Sequence, residues 1–81
     1  MEWTESLRKA IHYMETHLLE NIRTEDVAGE VHISPFYLQK GFSIVTGYSI
    51  AEYLRNRRLY LAALDIVAGK EKVIELAYKY G

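Results

Sequence analysis

Phe36, Lys40 and Ser43 recur at i, i+4 and i+7, with Gln39 on one flank and Tyr37 on the other. A helix that begins at Pro35 therefore turns this set away from a core on its opposite side. The residue types suit the edges of DNA bases. In a major groove a glutamine amide bonds an adenine edge, a lysine ammonium reaches guanine O6/N7 or a phosphate, and an aromatic ring packs on a thymine methyl. Gln39, Lys40 and Phe36 are the candidates for those three roles, and one well-made bidentate contact discriminates by about 1 to 3 kcal/mol. Phe36 weighs most, because a bulky aromatic exposed in the first turn of a helix needs a surface to touch.

Catalytic and metal chemistry find little to work with. His12, Glu15 and His17 form the best local cluster, yet His17 is five positions from His12, about 140° around a helix, so the two imidazoles do not converge on one ion. Ordinary helix-surface roles explain them. The chain has no cysteine, hence no disulfide framework and no thiol metal site, and it carries neither a Gly-rich phosphate loop nor a nucleophile motif. No enzyme activity, cofactor or metal is expected.

The elements that position the candidate face are short helices with legible ends. Thr24 is read as the cap of a helix starting at Glu25, with Glu25 and Asp26 against its positive end. Ala28 is small where two helices must cross, and His32 marks the turn. Ser34 caps the next helix and Pro35 takes its first position, where a missing N–H has no intrahelical partner to lose. From there Leu38, Phe42 and Val45 make an inward apolar stripe, and Gly47 ends the helix with positive φ. Gly41 counts against this helix by about 1 kcal/mol relative to alanine. Thr24 to Phe42 thus has the form of a helix-turn-helix. Before it, a first helix over about Glu5 to Leu19 offers Leu7, Ala10, Ile11, Met14 and Leu18 as one stripe, with Trp3 on the same side. It should cover Val27, Ala28, Val31, Ile33, Leu38 and Phe42.

A long helix from Ile50 to Ala68 follows, opened by Ser49 and Glu52 in capping-box relation and closed by Gly69. Its apolar residues run all the way round, so it reads as a connector covered on more than one side. Beyond it, Glu75-Leu76-Ala77-Tyr78-Lys79-Tyr80-Gly81 repeats the pattern of Asp26-Val27-Ala28-Gly29-Glu30-Val31-His32. A second helix-turn-helix is expected to begin there. The fold class is all-α: a three-helix lobe over residues 1–48, a connector over 49–69, and over 70–81 the first helix of an incomplete second unit.

The run VAGEVHISPFYLQKGFSIVTGYSIAEYLRNRRLYLA, followed by VIELAYKYG, resembles the DNA-binding region of the AraC/XylS family of bacterial transcription regulators. Ser34, Tyr37-Leu38, Phe42, Gly47, Tyr53-Leu54, Arg58-Leu59 and Ala62 fall in that family's order, and the likeness covers nearly the whole chain. The resemblance implies two helix-turn-helix subdomains joined by a long helix, with one recognition helix in each of two successive major grooves. By position, Phe36, Gln39 and Lys40 match the base-contacting face of the first recognition helix, while Ser34, Tyr37 and Arg55 match places near the phosphate backbone. It also implies RNA polymerase as a further partner. The second recognition helix is lacking from the sequence, so a fragment of a longer regulator is expected, binding double-stranded DNA through one module. That removes the effective-concentration gain of two linked modules. The side of the long helix left uncovered predicts frayed ends or self-association.

Charge is uneven. The chain sums to −1 with a pI near 6.3, well short of a strongly basic nucleic-acid binder. Residues 1–33 hold three basic and seven acidic side chains, net −4, whereas residues 34–81 hold seven basic and four acidic, net +3. The positive half begins at the proposed recognition helix. Of Arg55, Arg57 and Arg58, only Arg55 is expected near phosphate, the other two being solvated or ion-paired. No apolar run approaches the ~18 residues of a membrane span, and a cytoplasmic location is expected. The competing function class is a helical module that binds protein through Phe36, Tyr37, Ile44 or the open side of the long helix, without DNA.

Overall fold

A computed structural model describes residues 3–68 and 78–80. Among the described residues α1 (Trp3–Thr16), α2 (Thr24–Val31), α3 (Pro35–Thr46) and α4 (Ile50–Ala68) follow one another. No strand occurs among the described residues. The all-α expectation holds among the described residues, as does the start of α4 at Ile50.

Polar side chains turned back on their own backbone set the end of α1. Thr16 Oγ1 donates to the carbonyls of His12 and Tyr13, at 3.0 and 3.1 Å. The His17 imidazole donates through Nδ1 to the same Tyr13 carbonyl at 2.8 Å. Such bonds compete with the helical ladder, and α1 stops at Thr16 rather than at the expected Leu19. Leu18, just beyond, is still buried. The guanidinium of Arg58 then takes the carbonyls of Leu18 and Glu20, satisfying acceptors that the finished helix leaves open.

The start of α2 also differs from expectation. Thr24 lies inside the helix, and the cap position belongs to Arg23, in extended conformation. A guanidinium cannot accept a hydrogen bond, so the capping is done by Asp26, whose carboxylate accepts the Arg23 backbone N–H at 2.8 Å. At the other end His32 adopts the left-handed region, φ 59° and ψ 40°, as the turn requires. The amides of His32 and Ile33 both close on the Ala28 carbonyl. For α3 the anticipated boundary chemistry is present: Ser34 Oγ accepts the Tyr37 N–H at 3.2 Å, Pro35 opens the helix, and Gly47 closes it at φ 81°.

The core holds Ala10, Met14 and Leu18 from the first helix and its exit, Val27, Ala28 and Val31 from α2, Leu38 and Phe42 from α3, and Ile50 and Leu54 from α4. Trp3, Leu7, Ile11 and Ile33 pack against it from the margin. Val45 does not join, being 57% exposed. After the turn at Gly47 the chain adds Ile50 to the core, where it is wholly buried. Gly41, unfavourable as a helix residue, has a packing reason: a Cβ built on it would lie 2.1 Å from the nearest atom of the Trp3 indole. The missing side chain is what lets the ring lie on α3.

At 19 residues, α4 is about 28 Å long; its buried residues, Ile50 and Leu54, lie in its first half, and Leu61 packs against the core from farther along. Glu15 fastens the first half. Its carboxylate accepts Tyr53 Oη at 2.7 Å and both Arg57 Nε and a terminal Arg57 nitrogen at 2.9 Å. The Arg57 bonds hold the Glu15 carboxyl below its ordinary pKa. Burial, reinforced by the hydrogen bond to Glu15, pushes the Tyr53 phenol up to about 12. Farther along, Leu59, Tyr60, Leu64, Ile66 and Val67 are exposed. The expected stop at Gly69 and most of the second start, Glu75 to Ala77 and Gly81, lie outside the described residues. Tyr78–Tyr80 are helical, with Tyr80 Oη donating to Asp65 at 2.7 Å and Lys79 Nζ 3.7 Å from the same carboxylate.

Candidate nucleic-acid interface

Three features aim α3: the left-handed His32, the Ser34 cap and the burial of Leu38 and Phe42. Once those two apolar residues face inward, helical periodicity leaves the opposite side to solvent. Phe36 and Tyr37 are 70% and 69% exposed, and Ile44 is 75% exposed. Lys40 is exposed between them. The Phe36 and Tyr37 rings meet edge to face, with centroids 5.8 Å apart, and the Lys40 ammonium stands 5.9 Å from the Phe36 ring centre. The Lys40 cation thus stands over the Phe36 ring on the exposed side of α3, with its charge open to an anionic partner.

Gln39 is placed differently from Phe36 and Lys40. It is half-buried on the flank toward α4, and both ends of its amide are engaged. Its Oε1 accepts the backbone N–H of Ile50 at 3.2 Å, and its Nε2 donates to Ser43 Oγ at 2.8 Å. Ser43 in turn donates to the Tyr48 carbonyl at 3.1 Å. The Ile50 amide can only donate, so it must face the amide oxygen and the orientation of the Gln39 group follows. Nothing local announces this chain of bonds, because Gln39 and Ile50 are eleven positions apart across a turn. Ile44 is the other position that sequence patterning underweighted: it continues the Phe36–Lys40 ridge by one helical turn.

The candidate backbone-contacting residues lie at accessible places. Ser34 and Tyr37 are exposed at the start of α3, although Ser34 Oγ already serves as the cap. Of the three arginines on α4, only Arg55 is exposed. Arg57 is committed to Glu15, and Arg58 to the carbonyls that follow α1.

His12, Glu15 and His17 do not converge. Glu15 turns to α4, while His17 stacks on Tyr13 with ring centres 4.2 Å apart. No group of three or more potential ligands that could hold a metal occurs among the described residues. None of the described helices is long and apolar enough to cross a membrane.

The capped second helix, the left-handed turn before it and the ridge it exposes define a helix-turn-helix protein. Over 77 residues, or 95% of its length, the chain is 32% identical to the transposon Tn10 TetD protein of Escherichia coli, of which it covers 56%. It is 32% identical over 80 residues to the uncharacterized HTH-type transcriptional regulator YbfP of Bacillus subtilis, covering 27% of that protein. Over its full length it is 28% identical to the regulatory protein SoxS of Salmonella typhimurium, covering 76% of it. No family model matches the chain. These similarities agree with the resemblance of the sequence to the DNA-binding region of the AraC/XylS family of transcription regulators. It spans about half the length of the TetD protein and about a quarter of YbfP.

Proposed function

We propose that this chain binds double-stranded DNA as part of a transcription regulator, with α3 lying in the major groove. The observation that carries this is the exposed Phe36–Lys40 ridge on the second helix of a helix-turn-helix, anchored from behind by Leu38 and Phe42. In the groove Phe36 meets a thymine methyl, and Lys40 reaches guanine O6/N7 or a phosphate. Gln39 reaches a base edge only by exchanging the bonds it makes to Ile50 and Ser43. Ser34, whose capping role uses an acceptor lone pair and leaves its hydroxyl proton to donate, lies with Tyr37 and Arg55 along the phosphates. None of these residues is asked to do covalent chemistry.

Within a whole regulator RNA polymerase is the second partner, as the family resemblance implies, and the cytoplasm is the compartment. Self-association is proposed through the exposed Leu59, Leu64 and Val67 of α4.

Salt dependence separates DNA binding from an apolar protein-binding module. Each phosphate neutralised by Lys40, Arg55 or another cation contributes about −0.9 to the slope of log affinity against log salt, whereas an apolar interface responds weakly. Fluorescence anisotropy with duplex DNA over a salt series should show weak binding that strengthens as salt is lowered. An absence of binding at every salt concentration would refute the proposal for this chain.

A further inference from the structure

We infer that Gln39 is a positioning residue: from the recognition helix it holds the first turn of α4, and through that tether it sets how α3 is presented to DNA. The proposal deepens the DNA-binding role above and rests on it.

A helix start leaves several backbone N–H groups without intrahelical partners. At α4 three of them are accounted for. Ser49 Oγ accepts the Glu52 N–H at 3.0 Å, the Glu52 carboxylate accepts the Ser49 N–H at 2.8 Å, and Gln39 Oε1 accepts the Ile50 N–H at 3.2 Å. Of these three bonds, the last joins α4 to another helix. Ile50 is wholly buried, so its position is fixed by packing as well. The other end of the Gln39 amide is braced by Ser43, itself bonded to the Tyr48 carbonyl within the connecting turn. The amide therefore ties α3, the turn and α4 into one unit. A bidentate adenine contact needs the same oxygen as acceptor and the same nitrogen as donor, so the geometry favours the tether over the base edge. Removing the tether lets α3 and α4 move relative to each other. Contacts made from α3 and from Arg55 on α4 then no longer fit one DNA surface together.

The experiment uses the full chain with Gln39→Met, which keeps length and loses both polar ends, and Gln39→Glu, which keeps an acceptor for Ile50. Hydrogen exchange at the Ile50 amide is read without DNA. Binding is read with a pool of duplexes of varied sequence, under conditions where circular dichroism shows each variant folded. Gln39→Met should speed Ile50 exchange about tenfold or more, and Gln39→Glu should restore protection. Gln39→Met should also weaken DNA binding by about five- to tenfold, what one hydrogen bond contributes, evenly across the pool and with a shallower salt slope.

Flattened preference at one base pair with Ile50 exchange unchanged would make Gln39 a base reader and overturn the proposal. So would wild-type affinity of the folded Gln39→Met chain, which would leave the tether merely structural. If the unmutated chain bound no duplex at any salt, the DNA-binding role would fall first and the positioning role with it. The exchange data would then report the tether alone.

Discussion

Replacing Glu15 with alanine removes one carboxylate and strands three donors on two residues, which makes its effect on stability large for a residue near the surface. The carboxylate receives three hydrogen bonds from α4, at 2.7, 2.9 and 2.9 Å. The Arg57 and Glu15 side chains are 33% and 32% exposed. An open surface pair contributes about 0.2 to 1 kcal/mol, and breaking a fully buried one costs about 3 to 5 kcal/mol. With a third of each side chain in water, screening takes most of the Coulomb gain, and the loss should fall between, at about 2 kcal/mol. For a domain of this size that corresponds to a fall in Tm on the order of 10 °C. Circular dichroism melts of the wild type, Glu15→Ala, Arg57→Ala and the double variant give the coupling directly. About 1 kcal/mol is expected, and a coupling below roughly 0.3 kcal/mol would refute the role given to this contact.

The same contact predicts a pH dependence with a definite sign. Because Arg57 lowers the Glu15 pKa in the folded protein, its contribution is present above the unfolded carboxylate value, about 4.3, and is lost as pH falls through the lower folded value. The stability gap between the wild type and Glu15→Gln should therefore narrow in acid. Tyr53 works the other way. Its phenol is raised to about 12, so its contribution is present below about pH 10 and is lost as pH rises through about 12.

Two further substitutions test the other parts of the molecule. Gly41→Ala should gain about 1 kcal/mol of helix propensity yet destabilise the lobe, because the new methyl displaces Trp3. As Trp3 is the single tryptophan, its emission should shift to the red, and an unshifted spectrum with a raised Tm would show that the ring does not lie there. Lys40→Ala should weaken duplex binding and reduce the salt slope by about 1 if the ammonium meets a phosphate. If it meets a guanine, discrimination at one base pair should fall instead, and a variant unchanged in both measurements would remove Lys40 from the interface.

What could be determined from the sequence was whatever depends on residues close together in the chain. The Ser34-Pro35 start, the Gly47 stop, the Ser49/Glu52 box and the start of α4 follow from capping chemistry within a few positions. Leu38 and Phe42 follow from a helical period, and the exposure of Phe36 and Lys40 follows from theirs. Tertiary structure decided what depends on distant partners. Glu15 meets Tyr53 and Arg57 across 38 and 42 positions, Trp3 lies on a glycine far along the chain, and Ile50 is buried in the core while Val45 is exposed. Gln39 shows the division most clearly. Periodicity put it beside a DNA-reading face, but its amide is drawn to the first turn of α4, where a buried donor needed an acceptor that no local residue supplied.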